Sequence, residues 1–150
     1  MSLKQRIDND LKAALLGGDR FKGEVLRGVK AAILNEEVAA KVRIEGLSDD
    51  AIEQLIGREI KKRNDSATQY AAAGRPELSE TELKEAAILV EYQPEQVSEA
   101  DIQAFVTKTI AELGVTNMAG MGQVIGTVKK EFGNTADGSV IAQLVKNALQ

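Results

Sequence analysis

The sequence predicts an all-α protein: a four-helix N-terminal domain over residues 1–94, then a small three-helix bundle over residues 95–150. Three observations carry this. Apolar residues return every three or four positions along nearly the whole chain, which is the period of a helix face. Only two prolines interrupt 150 residues rich in Ala, Leu, Glu and Lys, the residues that lose least on entering a helix. No stretch alternates apolar and polar at the period of a strand.

Leu3, Ile7, Leu11, Ala14 and Leu15 form the first stripe. Gly17-Gly18 ends that helix, and Asp19 is placed to cap the next. In the second helix Phe21, Val25, Val29, Ala32 and Ile33 face inward, while Arg20, Arg27 and Lys30 cluster on the other side. A loop follows at Arg43–Ser48. Ser48 or Asp49 then caps a third helix whose stripe is Ile52, Leu55, Ile56 and Ile60, continuing through Ala67, Tyr70 and Ala71 to a stop at Gly74. Ser79-Glu80-Thr81-Glu82 has the form of a capping box opening the fourth helix, with Leu83, Ala86, Ala87 and Val90 inward. Tyr92-Gln93-Pro94 ends it, because the residue before proline avoids helical backbone.

Ser98 opens the fifth helix. Its stripe of Ile102, Phe105, Val106, Thr109, Ile110 and Leu113 stops at Gly114. Two amphipathic segments complete the chain. Met121, Val124, Ile125, Val128 and Phe132 form one face, and Val140, Ile141, Leu144, Val145 and Ala148 the other. Gly133 stops the first segment, and Asp137 caps the second. Gly122 and Gly126 lie four apart and so share a face. Each costs about 1 kcal/mol relative to alanine inside a helix. That cost implies close approach of another backbone there, either a helix of this domain or a partner.

Composition excludes much chemistry. The chain has no Cys and no His. Thiolate nucleophiles, cysteine-bound zinc, the usual base near neutral pH and the commonest metal ligand are therefore all missing. No catalytic residue, metal site or cofactor site is assigned. Glu82, Glu85 and Glu91 read as helix-surface charges or as partners for Arg63 and Arg75. The first ten residues are charged and periodic, unlike a signal peptide, and no apolar run reaches the length of a membrane span. A cytoplasmic location is the resulting expectation. Net charge is −4, so anion binding has to be local rather than general. Lys61, Lys62 and Arg63 form the strongest candidate turn, with Arg63 at the edge of the apolar face, in reach of Glu82 or Glu85. The same turn is equally explicable as a solvated basic surface.

Motifs in the order Lys61-x-Arg63-x-x-Ser66, Tyr70, Ala73-Gly74-Arg75-x-x-Leu78, Glu82-Leu83 with Glu85, Tyr92-x-Pro94, Met121-Gly122-x-Val124-Ile125-Gly126 and Ala136-Asp137-Gly138 span most of the chain. Together they resemble the GatB/YqeY family of YqeY-like proteins, related to the tail of the GatB subunit of tRNA-dependent amidotransferase. The chain departs from that family at Gln93, often Leu, at Gln123, usually Lys, and at Ile125, usually Met. The resemblance implies an all-helical fold, and a carbon–nitrogen ligase label with glutamine as amido-N-donor. It also implies tRNA, or the proteins of amidotransferase and aminoacyl-tRNA synthesis, as partners. The residues themselves supply neither a nucleophile to release ammonia from glutamine nor a phosphate cradle for ATP. Two readings follow. One is a tRNA-binding or amidotransferase-accessory module with phosphate contacts at Lys61, Lys62, Arg63, Arg75, Lys129 and Lys130, and with Gly122 and Gly126 packing on the partner. The other is a helical protein–protein adaptor without RNA.

Overall fold

The computed structural model describes residues 1–150 as seven α-helices with no strand. These are α1 (Leu3–Leu16), α2 (Arg20–Ala39), α3 (Asp49–Ala72), α4 (Pro76–Val90), α5 (Glu99–Leu113), α6 (Met121–Phe132) and α7 (Gly138–Leu149). Single 3-10 turns precede α6 and follow it. The chain divides into two compact units, Met1–Gln93 and Pro94–Gln150. No helix is long and apolar enough to cross a membrane.

The first unit holds α1 to α4. Its core joins Ile7 and Leu11 of α1, Leu26 and Ile33 of α2, Ile52 and Ile56 of α3, and Leu89 of α4. α1 pairs with α2, and α3 pairs with α4. The caps follow from side-chain chemistry. Ser2, Asp19 and Ser48 each accept a hydrogen bond from a free first-turn N–H, which satisfies donors that have no partner inside the helix.

Two expectations for α4 are corrected. The helix opens at Pro76, three residues before the anticipated capping box. Proline fits the first helical position because its missing N–H costs nothing there and its φ is already helical. Ser79 is thereby absorbed into the helix. The inward face is also rotated: Ala86 and Leu89 are buried, whereas Leu83 and Val90 are half exposed and Ala87 is exposed. Residues 86–90 are apolar all round, so their spacing alone does not choose a phase. Packing of Ala86 and Leu89 into the core shared with α2 and α3 sets it, with the Glu85–Arg63 ion pair beside them. Phe21 and Leu15, expected inward, are also partly exposed.

The second unit holds α5, α6 and α7, which all pack on one another. Ile102, Val106, Val124, Val128, Ile141 and Val145 are its buried centre. Phe105 of α5 and Phe132 of α6 meet edge to face, with ring centroids 5.4 Å apart, a favoured aromatic geometry. Gly114 closes α5 in the left-handed conformation, at φ 66°. The close approach in this unit belongs to Gly120, where a Cβ would collide with the Val115 side chain.

Candidate nucleic-acid interface

The outer face of α6 is where glycine and charge meet. Val124 and Val128 point into the core. The opposite side carries Gly122, Gln123, Gly126 and Lys130, all exposed. A Cβ added at Gly122 or Gly126 would meet no atom within 4 Å. Packing by another helix of the same domain, one of the two expected explanations, is therefore absent, because no neighbouring helix lies over this face. Lys129 and Lys130 occupy the last turn of α6, at the negative end of the helix dipole. Lys129 lies at the edge of the face, its Nζ 3.4 Å from where a Gly138 Cβ would be. Asp137 accepts from the backbone N–H and hydroxyl of Ser139 at 2.8 and 2.7 Å, starting α7 beside them. The result is a helical face thinned by two glycines, with Gln123 between them, running into two ammonium groups.

The exposed glycines give a direct expectation. The double variant Gly122→Ala/Gly126→Ala should stabilise the second unit by up to about 1 kcal/mol per site, since the backbone is helical and the space is open. Thermal or urea unfolding followed by circular dichroism reads it. Destabilisation would mean that the glycines serve the fold itself.

The first unit places its candidates differently. Lys61 and Lys62 face outward from the middle of α3, with Lys62 only loosely paired to Glu59 at 4.0 Å. Arg63 turns inward. Its Nε and Nη1 each stand 3.1 Å from a carboxylate, of Glu85 and Glu59 respectively, and its side chain is 16% exposed. Two carboxylates thus balance this guanidinium, and it bolts α3 to α4. Arg75, immediately before α4, is exposed, with Glu77 at 4.0 Å. It lies 13 residues beyond Lys62, roughly 20 Å at the helical rise. The structure therefore groups Lys61 with Lys62 and Lys129 with Lys130, and leaves Arg75 apart. No cluster of carboxylates stands close enough to hold a metal ion.

Two polar clusters escape sequence reasoning. Glu37 is 2% exposed. Lys4 Nζ donates to its two carboxylate oxygens at 2.8 and 3.1 Å, and the Leu47 N–H donates at 2.9 Å. The Lys4 hydrogen bond is the main reason its carboxyl titrates below the usual range, with the Leu47 N–H adding to it against the cost of burial. The sequence does hold a signal: Glu37 extends the stripe Leu26, Val29, Ile33 by one helical turn. The second cluster surrounds Tyr92, which is 3% exposed. Its hydroxyl donates to Asp10 at 2.6 Å, and the Arg6 guanidinium lies 4.8 Å from its ring centroid. Burial, then the bond to Asp10, push the phenol well above its ordinary range.

The family model described as Yqey-like protein matches residues 4–149. The chain is 31% identical over 113 residues to "Altered inheritance of mitochondria protein 41, mitochondrial" of Lachancea thermotolerans, covering 74% of this chain and 59% of that protein. The protein of the same name in Kluyveromyces lactis is 28% identical, over 71% of this chain and 58% of its own length. A glutamyl-tRNA(Gln) amidotransferase component of Methanosarcina barkeri is 30% identical over 72% of this chain, but only 18% of that protein is covered. The chain thus spans less than two thirds of the curated relatives it matches.

Proposed function

The chain belongs to the Yqey-like protein family, and from that premise we propose that it is a helical accessory module that holds tRNA by its phosphate backbone, in the setting of amidotransferase or aminoacyl-tRNA synthesis. The single observation that carries this reading is the outer face of α6, where two open glycines run into Lys129 and Lys130. Both lysines are exposed to water. Exposed cations are available to displace counterions from phosphate, while a face thinned by two glycines lets a ligand backbone come close. The relative named as a glutamyl-tRNA(Gln) amidotransferase component supports the choice of RNA. Lys61, Lys62 and Arg75 extend the proposed contacts to the first unit; Arg63 positions the α3–α4 pair and is not among them.

The ligand is expected to be duplex-like rather than single-stranded. Single strands are gripped by stacking bases on exposed aromatic rings. The second unit has only Phe105 and Phe132, and these pack edge to face on each other. Competition against labelled tRNA tests this, with a short RNA hairpin in one arm and an unstructured strand of equal length in the other. The hairpin should compete at least several-fold better. Preference for the single strand would overturn the backbone-holding reading.

A protein–protein adaptor is the second reading, favoured by Leu83, Ala87 and Val90, exposed on one side of α4. It predicts nuclease-resistant association with purified amidotransferase that Leu83→Lys/Val90→Lys abolishes. Association unaffected by that change would count against this face.

A further inference from the structure

Fastenings lie on both sides of the junction between the two units. α4 packs on α3 and α2, and the chain just beyond it is tied to both α1 and α2. The Tyr92 hydroxyl donates to Asp10 at 2.6 Å. Arg6 of α1 covers the Tyr92 ring and donates from Nη2 to the Glu91 carbonyl at 2.9 Å. Lys22 of α2 approaches the Glu91 carboxylate at 3.4 Å. The Tyr92 ring itself is part of the first unit's apolar core. On the other side, the Val97 N–H donates to the Thr135 carbonyl at 2.8 Å, and Gln96 Nε2 donates to the carbonyls of Pro94 and Asn134 at 2.8 and 3.0 Å. Only Gln93, Pro94 and Glu95 lie between these ties, and proline fixes one of their φ angles.

We infer that Tyr92 is a latch that sets how much free chain joins the two units. Latched, the chain between these ties is Gln93–Glu95, with the Gln93 N–H on the Val90 carbonyl at 3.1 Å, and it extends at most about 10 Å. Released, it reaches back to the end of α4 at Val90, which brings the span to about 17 Å. The parts differ in what holds them. Leu89 and Ala86 are anchored by apolar burial over α2 and α3. Tyr92 is held by one ring in the core, one short hydrogen bond and an arginine that is half in water. Local opening of such a segment draws on fewer buried contacts than opening of the unit as a whole. This inference stands independently of the RNA reading.

Hydrogen exchange with peptide-level mass spectrometry on the full chain tests it, comparing wild type, Tyr92→Phe, Arg6→Ala and the core control Ile33→Val. Tyr92→Phe keeps the ring in the core and removes only the bond to Asp10. In both latch variants, the amides of residues 91–93, whose N–H groups donate to the last carbonyls of α4, should exchange about tenfold faster, while those of residues 52–60 in α3 and of Val97 stay at the wild-type rate. Ile33→Val should instead accelerate α2 and α3 together. The inference is overturned if the latch variants leave residues 91–93 unchanged. It is equally overturned if they speed every helix of the first unit alike, as the core control does, because Tyr92 would then be an ordinary core residue.

Discussion

Replacing Lys4 by Met is expected to lower the stability of the first unit by about 2 kcal/mol at pH 7. Glu37 is then a buried carboxylate without its cation, and breaking a fully buried pair costs roughly 3–5 kcal/mol. The smaller figure applies because Lys4 is 39% exposed against 2% for Glu37, so water screens part of the attraction. The sign of the pH dependence follows from the lowered titration of Glu37. A carboxyl whose folded pKa lies below its unfolded value contributes stability that is present above about pH 4.3 and is lost as pH falls through the folded pKa. Lys4→Met removes that contribution, so the gap between variant and wild type should narrow steadily from pH 5 to pH 3. Urea unfolding followed by tyrosine fluorescence isolates the effect, since Tyr70 and Tyr92 both lie in the first unit. A gap that stays constant with pH would show that Lys4 acts through packing, not charge.

Reversing the two lysines at the end of α6, Lys129→Glu/Lys130→Glu, is expected to weaken tRNA binding by about 100-fold at low salt. A phosphate contact is worth roughly a factor of ten under those conditions, and reversal adds repulsion to the loss. The fold should tolerate the change, because Lys130 is exposed on the outer face, Lys129 is exposed at its edge, and neither belongs to the core. The loss should also shrink toward high salt as the charges are screened. The corresponding reversal of Lys61 and Lys62 tests the first unit separately. Arg63→Ala is a different kind of change: it leaves Glu59 and Glu85 facing each other without their shared cation, and should register in stability rather than in binding.

How far the sequence can be read depends on whether one local rule decides each point. Helix starts at Ser48, Ser98 and Asp137, and stops at Gly114 and Gly133, rest on single side chains or on φ > 0, so they are legible. The phase of α4 is not, because residues 86–90 are apolar on every side, and packing on α3 and α2, distant in sequence, selects a face. Pro76 outranks the capping box for a reason the sequence does contain, its fitness for the first helical turn. Arg63 is legible at the edge of the apolar face with Glu85 in reach, and the ion pair forms there. Tyr92 and Glu37 are not legible as cluster centres, because their partners lie 82 and 33 residues away, at Asp10 and Lys4. The glycines of α6 show the limit most clearly. Their helical cost is legible from composition, but only the open space above them shows that no part of this domain accounts for it.

The proposed function rests on a helical surface that holds an RNA backbone through a few exposed cations. The most direct measurement is the affinity of the purified chain for unmodified tRNA across a series of salt concentrations. Binding should be present at low salt, and the logarithm of the association constant should fall against the logarithm of salt with a slope of about −2 to −4, corresponding to a handful of phosphate contacts. No binding at low salt, or a slope indistinguishable from zero, would contradict it.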